Sequence, residues 1–375
     1  MKELRQRIEQ EIRECGPIPF SRYMELCLYD PELGYYSRHA AQFGKAGDFY
    51  TSSDVHAVFG RLMARQFDEM WRVLGSPAPI TVVELGPGRG LFAQDVLDWS
   101  AKKFPGFFRA LRYVLVEGSP ALRQRIEDTL RQHLESGKAT VRQANETIAA
   151  PTIVFANEFF DALPVEVLSS QGSLRVGSEH GRFVETWVPP SAEELEFLDR
   201  YSIHPEPGER VEVPLAAQQC GRQVSGEIHQ GFLIAVDYGY TRAEQLAGRH
   251  RGTLKAIRQH SVSANPYEAP GEQDITADVN FTALVAAAER QGMHAHKLIT
   301  QSQFLMGIGE ANQFADAFED CRLPQERAKV ALQLKHLVTP AGMGESFHVL
   351  VASKGIEREE AAALAGLNFG TIRAR

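Results

Sequence analysis

Two stretches of the 375-residue sequence combine residue types and spacings that could do chemistry: Glu84-Leu85-Gly86-Pro87-Gly88-Arg89-Gly90 and Asn157-Glu158-Phe159-Phe160-Asp161. Glycines let a chain turn tightly and let a ligand approach its backbone closely. A helix start behind such a turn offers N–H groups that lack intrahelical partners. The spacing narrows the ligand class. A dinucleotide fingerprint, G-x-G-x-x-G, would place its third glycine at residue 91, which is leucine; here the glycines fall at 86, 88 and 90. Glu84 stands where a pyrophosphate would be repelled, and it suits a cationic ligand. S-adenosylmethionine carries a sulfonium and an ammonium and no phosphate. It is the expected cofactor, with Glu84, Gly86, Gly88 and Gly90 among the residues that hold it.

Glu117 closes a second apolar run. A carboxylate there can accept two hydrogen bonds from a ribose diol; the plainer alternative is a solvated strand end. Asn157, Glu158 and Asp161 follow a wholly apolar run and project beyond its carboxyl end, where open α/β sheets place their ligand crevice. Alternatively, Asn157 caps a short helix with both acids in its first turn. Methyl transfer is an in-line displacement, so catalysis is largely placement of the nucleophile. A guanidinium stays protonated and is a poor nucleophile. Glu158 and Asp161 can grip it in a fork and localise its charge away from the attacking nitrogen.

These residues need a scaffold. Short β-branched runs at residues 81–85, 112–117, 152–156 and 232–237 alternate with helical patterns at 91–103 and 120–136. That rhythm predicts a parallel sheet with helices on both faces, an α/β doubly wound fold. Residues 294–300 and 347–353 read as two more strands, with helices at 280–291 and 310–336. The N-terminal region reads as helical: residues 2–14, a helix capped by Ser21 that ends before Asp30-Pro31, and a longer one capped by Ser53 or Asp54 and running to Leu74. Residues 165–188 look β-rich, and residues 239–276 show little periodicity.

A hydrophobic share of 43% and a charged share of 23% suit a folded soluble chain. A net charge of −8 argues against non-specific nucleic-acid binding. The cysteines at 15, 27, 220 and 321 form no CxxC pair, so neither a metal site nor a disulfide scaffold is expected. Residues 1–14 have no apolar signal core and no run is long enough to span a bilayer, which leads to a cytoplasmic placement without membrane insertion.

The motifs in order resemble those of the MidA-type S-adenosylmethionine-dependent methyltransferases. Gly47-Asp48-Phe49-Tyr50-Thr51-Ser52 is similar to the family's GDFxTS motif, and Glu84 to Gly90 to its ELGxGxG. Val116-Glu117-Gly118-Ser119-Pro120 resembles VExSP, Ala156 to Pro164 resembles ANExxDALP, and Asp237-Tyr238-Gly239 resembles DYG. Gly252-Thr253-Leu254, His260 and Gly271-Glu272-Gln273-Asp274-Ile275-Thr276 resemble the GTL…H…PGxQDIT block. Thr300-Gln301, Phe304-Leu305 and Gly342 to Phe347 match C-terminal motifs. The chain departs from the family's usual residues at Ser53, Ile257, Asp278 and Asn280, which touches the substrate side and leaves the cofactor motifs intact.

The resemblance implies a class I methyltransferase core of seven strands with a helical N-terminal cap over residues 1–76 that includes a cofactor-covering loop. It implies a Rossmann-like core over 77–238, a substrate-side insertion over 239–279 and a C-terminal completion of the sheet over 280–375. It adds Asp48, Thr51, Ser119 and Asn157 to the cofactor contacts and His260 to the catalytic residues, beside Glu158 and Asp161. For His260 and Asp237 a hydrogen-bonded anchor is the alternative, and for residues 47–51 a plain linker. The family's mitochondrial members assemble respiratory complex I and act as protein arginine methyltransferases. The expected partner is therefore a protein substrate, a respiratory-complex subunit among the candidates, with a homodimer left open and no nucleic acid. The competing functions are a small-molecule O- or N-methyltransferase, an assembly chaperone that binds the cofactor without turnover, and a nicotinamide oxidoreductase, which Leu91 disfavours.

Overall fold

The apolar runs that the sequence interrupts with glycines and acids lie side by side in one sheet. The computed structural model describes residues 2–38, 57–143, 151–258, 261–263 and 265–369. Its central strands are β1 (Ile80–Leu85), β2 (Leu111–Val116), β3 (Ala139–Arg142), β4 (Thr152–Asn157), β5 (Gly231–Tyr240), β6 in two pieces (His294–Ala295 and Ile299–Thr300) and β7 (Phe347–Lys354). The order is β3-β2-β1-β4-β5-β7-β6. The first five run parallel, with Val82 opposite both Tyr113 and Ile153, and Ile234 opposite Phe155. β7 is antiparallel to β5 and to both pieces of β6. The chain order reverses between β1 and β4, which is where such sheets open a ligand crevice. Glu84 is the last residue but one of β1, and Asn157 ends β4.

Helix Leu91–Lys103 spans the residues expected for it, and its Phe92 ring stacks on Phe155 of β4 at 4.5 Å and 19°. Phe59 and Phe67 of helix Ala57–Val73 complete this buried aromatic group. Each ring pair adds about 0.5–1.5 kcal/mol beyond its buried area. The group fixes the helix that begins at the glycine turn.

Several elements differ from the sequence expectation. Residues 120–136 form two helices, Pro120–Thr129 and Arg131–Glu135, because Leu130 leaves helical geometry. Residues 310–336 divide among Gln301–Glu310, Ala315–Phe318 and Pro324–Val338, broken where Gln313 and Phe314 take left-handed backbone. Ser21 does not cap helix Phe20–Tyr29; its hydroxyl donates to Glu166 at 2.5 Å, and Pro19 occupies the cap position. The Ser53 and Asp54 caps lie outside the described residues. β3, strand Arg210–Val213 and helices Ala192–Tyr201 and Leu215–Glu227 are additions.

The β-rich excursion is a second, antiparallel sheet of Glu166–Ser169, Gly172–Glu179 and Arg182–Val188, joined by Ile18–Pro19 and Arg210–Val213. Leu4, Ile8, Phe20 and Tyr23 of the N-terminal helices pack on Val167, Leu174 and Val176 of that sheet and on Ala256 and Ile275. Residues 239–276 are not structureless. They contain helix Arg242–Leu246 and a small sheet of Lys255–Arg258, Ser261–Ser263 and Asp274–Thr276, whose strands are too short to show periodicity.

The GTL and QDIT motifs act as anchors in this region. The buried Glu212 carboxylate accepts bonds from the Thr253 amide at 3.1 Å, the Thr253 hydroxyl at 3.1 Å and the Leu254 amide at 3.2 Å. Gln273 clamps its own loop through the Ala269 amide at 3.0 Å and the Asn265 carbonyl at 3.2 Å. Replacing Glu212 with alanine strands two backbone amides. The expected loss is about 3 kcal/mol of stability, read as a lower urea midpoint with an unchanged slope; an unmoved midpoint contradicts the anchor.

Candidate functional site

The glycine turn and the acidic turn meet at the switch point. Gly86, Gly88 and Gly90 have φ of +63°, +54° and +77°, a region that costs other residues energy. Gly86 also needs its missing side chain: a Cβ there would lie 2.8 Å from the Phe159 ring. Among the described residues a Cβ on Gly88 would meet nothing within 4 Å, so the backbone borders open space there. Gly90 caps helix Leu91–Lys103 and donates its amide to the Pro87 carbonyl at 2.9 Å.

The acids expected around the cofactor lie close behind this turn. Glu84 is buried and accepts the Tyr113 hydroxyl at 2.8 Å. Burial pushes its carboxyl up to about 8; the Tyr113 bond opposes the shift and the Glu117 charge adds to it. Glu117 is 8% exposed and accepts the Ser119 amide at 2.8 Å. Burial pushes it up to about 7 against that bond and the nearby Arg123. A solvated strand end does not describe it. Ser119 caps helix Pro120–Thr129 through the Leu122 amide at 3.4 Å and donates its hydroxyl to the Tyr36 carbonyl at 3.1 Å.

After β4 the chain makes a turn and not the short helix of the alternative reading. Glu158 holds φ of +50°, left-handed for a non-glycine residue, at a cost of about 1–3 kcal/mol. The Asn157 amide donates to Glu158 at 3.1 Å. The hydrogen-bond acceptor at this turn is Asp237, which sequence reasoning left undecided. One of its oxygens accepts the amides of Phe159, Phe160 and Asp161 at 3.2, 2.9 and 3.3 Å, and the other accepts Tyr238 N–H at 2.9 Å. Asp237 is therefore a positioning residue. Asp161 is 4% exposed, and its Oδ1 has no hydrogen-bond partner among the described residues. Burial, then the charges of Asp237, Asp274 and Glu158, pushes Asp161 well above the usual carboxylate range. Asp274 of the QDIT motif completes the cluster and accepts the Tyr36 hydroxyl at 3.0 Å.

The structure thus brings together Glu84, the three glycines, Glu117, Ser119, Asn157, Glu158 and Asp161. Asp48, Thr51 and His260 lie outside the described residues. The residues present fit S-adenosylmethionine. They offer a glycine backbone that borders open space among the described residues and a buried carboxylate at the end of β2.

Residues 62–299 match the family model described as "Putative S-adenosyl-L-methionine-dependent methyltransferase". The chain belongs to this methyltransferase family. It is 30% identical, over 94% of its length and 85% of the relative's, to the mitochondrial protein arginine methyltransferase NDUFAF7 homolog of Drosophila melanogaster. To the mitochondrial protein arginine methyltransferase NDUFAF7 of Danio rerio it is 30% identical over 96% of its length and 89% of the relative's. A crystal structure of a "likely methyl transferase" from Burkholderia thailandensis, bound to S-adenosyl-homocysteine, superposes with a TM-score of 0.84 at 29% identity, over 97% of this chain and 94% of that one. The methyltransferase is an enzyme of the class I fold, and its cofactor is S-adenosylmethionine.

One expectation is corrected. The cytoplasmic placement does not stand, since these curated relatives are named as mitochondrial. The N-terminal residues on which it rested form helix Lys2–Cys15, whose Leu4, Ile8 and Ile12 are buried in the fold, and a docked amphipathic helix carries no information about destination. No helix among the described residues is long and apolar enough to cross a membrane.

Replacing Asp237 with alanine leaves the amides of residues 159–161 without their acceptor. Thermal or urea unfolding should report a loss of about 1–3 kcal/mol, and wild-type stability in that variant would show that the turn holds itself.

Proposed function

We propose that this methyltransferase transfers its methyl group to a guanidinium nitrogen of arginine in a protein partner. The observation that carries this reading is the buried Asp161 carboxylate, one oxygen of which has no partner among the described residues, close to Glu158 and next to the glycine turn. A buried carboxylate without a partner is costly, and a cationic acceptor offsets that cost. The protein arginine methyltransferase names of the relatives support the same class of acceptor.

Bound at the glycine turn, S-adenosylmethionine supplies an electrophilic methyl group on a positively charged sulfur. In this reading the backbone at Gly86, Gly88 and Gly90 holds its amino-acid end, with Glu84 behind. Glu117 takes the ribose hydroxyls, and Ser119 and Asn157 border the cofactor. Asp48 and Thr51 cover it. Glu158 and Asp161 grip the guanidinium and keep its charge on the nitrogens that do not attack. As the attacking nitrogen takes the methyl group it sheds a proton. Asp161 is the proposed acceptor of that proton: it grips the cation as a carboxylate, and burial favours its neutral form once the proton is taken. His260 is the further candidate for proton handling.

The test is transfer of labelled methyl groups from S-adenosylmethionine to protein, with the modified residue identified by mass spectrometry. Glu158→Gln and Asp161→Asn should each lower transfer to arginine by about 100-fold or more, while S-adenosylhomocysteine affinity holds. Full transfer in both variants would remove the clamp. Label found only in small molecules would replace the protein acceptor.

Cofactor binding should also follow pH. Glu117 is pushed up to about 7, so its carboxylate forms as pH rises from 6 to 8. The charged form is the better acceptor for two hydroxyls. By calorimetry, S-adenosylhomocysteine should bind about tenfold tighter at pH 8 than at pH 6, and Glu117→Gln should bind weakly at both. A flat wild-type profile would place the ribose elsewhere.

A further inference from the structure

Helix Phe20–Tyr29 delivers one aromatic side chain to the acidic crevice. Leu26, Cys27 and Leu28 are buried, while the next residue, Tyr29, is 40% exposed. Its position is tightly set. Its hydroxyl donates to the Ala162 carbonyl at 2.9 Å, directly after Asp161. Its ring lies 5.4 Å from that of Tyr36, tilted by 38°. The turn behind it is fixed by Asp30, which accepts the Leu33 amide at 2.9 Å and Arg7 at 2.6 Å. Tyr36 ties the pair to both halves of the site: its hydroxyl reaches Asp274 at 3.0 Å, and its carbonyl accepts the Ser119 hydroxyl at 3.1 Å. Burial holds the Tyr29 phenol well above its ordinary value, and the nearby charges of Asp161, Asp274 and Glu117 add to the shift. An aromatic ring left partly open in a ring of carboxylates has the chemistry of a site for a flat cation.

We propose that the open face of Tyr29 is the stacking wall for the acceptor's guanidinium and sets a preference for arginine over lysine. The inference rests on the arginine reading above and adds the residue that selects for it. A guanidinium is planar and weakly hydrated. It can lie on a tyrosine face while its edge forks to the Asp161 and Glu158 carboxylates. A lysine ammonium is a compact, strongly hydrated charge and cannot satisfy both contacts at once. The ring itself provides the selectivity, and packing against Tyr36 keeps it in place without the hydroxyl bond to Ala162.

The experiment uses the full chain with labelled S-adenosylmethionine and two pools of synthetic peptides that differ only in carrying one arginine or one lysine. Wild type is expected to label the arginine pool. Tyr29→Phe keeps the ring and should stay within about twofold of the wild-type KM, whereas Tyr29→Ala should raise KM about tenfold and narrow the arginine-to-lysine ratio. S-adenosylhomocysteine affinity should be unchanged in both, which reports an intact fold. Tyr29→Leu keeps the apolar bulk and substitutes for the alanine variant if that one fails to fold. Wild-type KM and ratio in the alanine or leucine variant would overturn the stacking wall while leaving the arginine reading in place. A phenylalanine variant as impaired as alanine would assign the effect to the Ala162 bond and also overturn it. A wild-type enzyme that labels the lysine pool, or neither, would bring down the arginine reading itself and this inference with it.

Discussion

The Asp237 carboxylate holds together the parts on which the site depends. β5 ends its apolar stretch in this residue, and its side chain reaches across to β4 to accept three successive amides from residues 159–161. A turn that leaves a buried strand has N–H groups with no ladder partner, and burying them unpaired would be costly. One acid on the neighbouring strand satisfies them together. It thereby sets where Glu158 and Asp161 point, and it places Phe159 against Gly86, where only a glycine leaves room. The acidic turn thus meets the glycine turn through the Phe159 ring and is held from its other side by the Asp237 carboxylate.

A second set of ties brings the outer elements to these turns. Glu212 holds the Thr253–Leu254 segment, Gln273 closes the loop before Asp274, and Tyr36 joins Asp274 to Ser119. The N-terminal helices reach the same place through the apolar contacts of Leu4, Ile8 and Tyr23 with the second sheet. The N-terminal helices, the segment around Asp274 and the central sheet therefore meet beside the acidic turn.

Much of this was legible in the sequence where a residue's local physics decided its role. The glycines after β1, the acid after β2 and the alternation of short apolar runs with amphipathic stretches each carry their own signal, and helix Leu91–Lys103 follows from it. What could not be read depends on contacts between distant residues. Nothing near Asp237 in the chain reveals that its partners lie at 159–161. Glu212 sits in a strand of four residues, too short for periodicity to mark. Tyr29 and Tyr36 look like helix-core aromatics until the fold sets them beside Asp161 and Asp274. Leu130 and Phe314, which break expected helices, carry no glycine or proline to announce the break.

Glu158 sits in a backbone conformation that glycine or asparagine would adopt at lower cost. The strain is tolerated at a position where the carboxylate accepts the Asn157 side-chain amide, and it puts two selective pressures in conflict. A library screened for heat resistance alone would drift toward glycine at this position, while one screened for turnover, if the proposed grip on the acceptor holds, would restore the acid. Thermal tolerance and catalytic competence would then be traded against each other at a single left-handed residue.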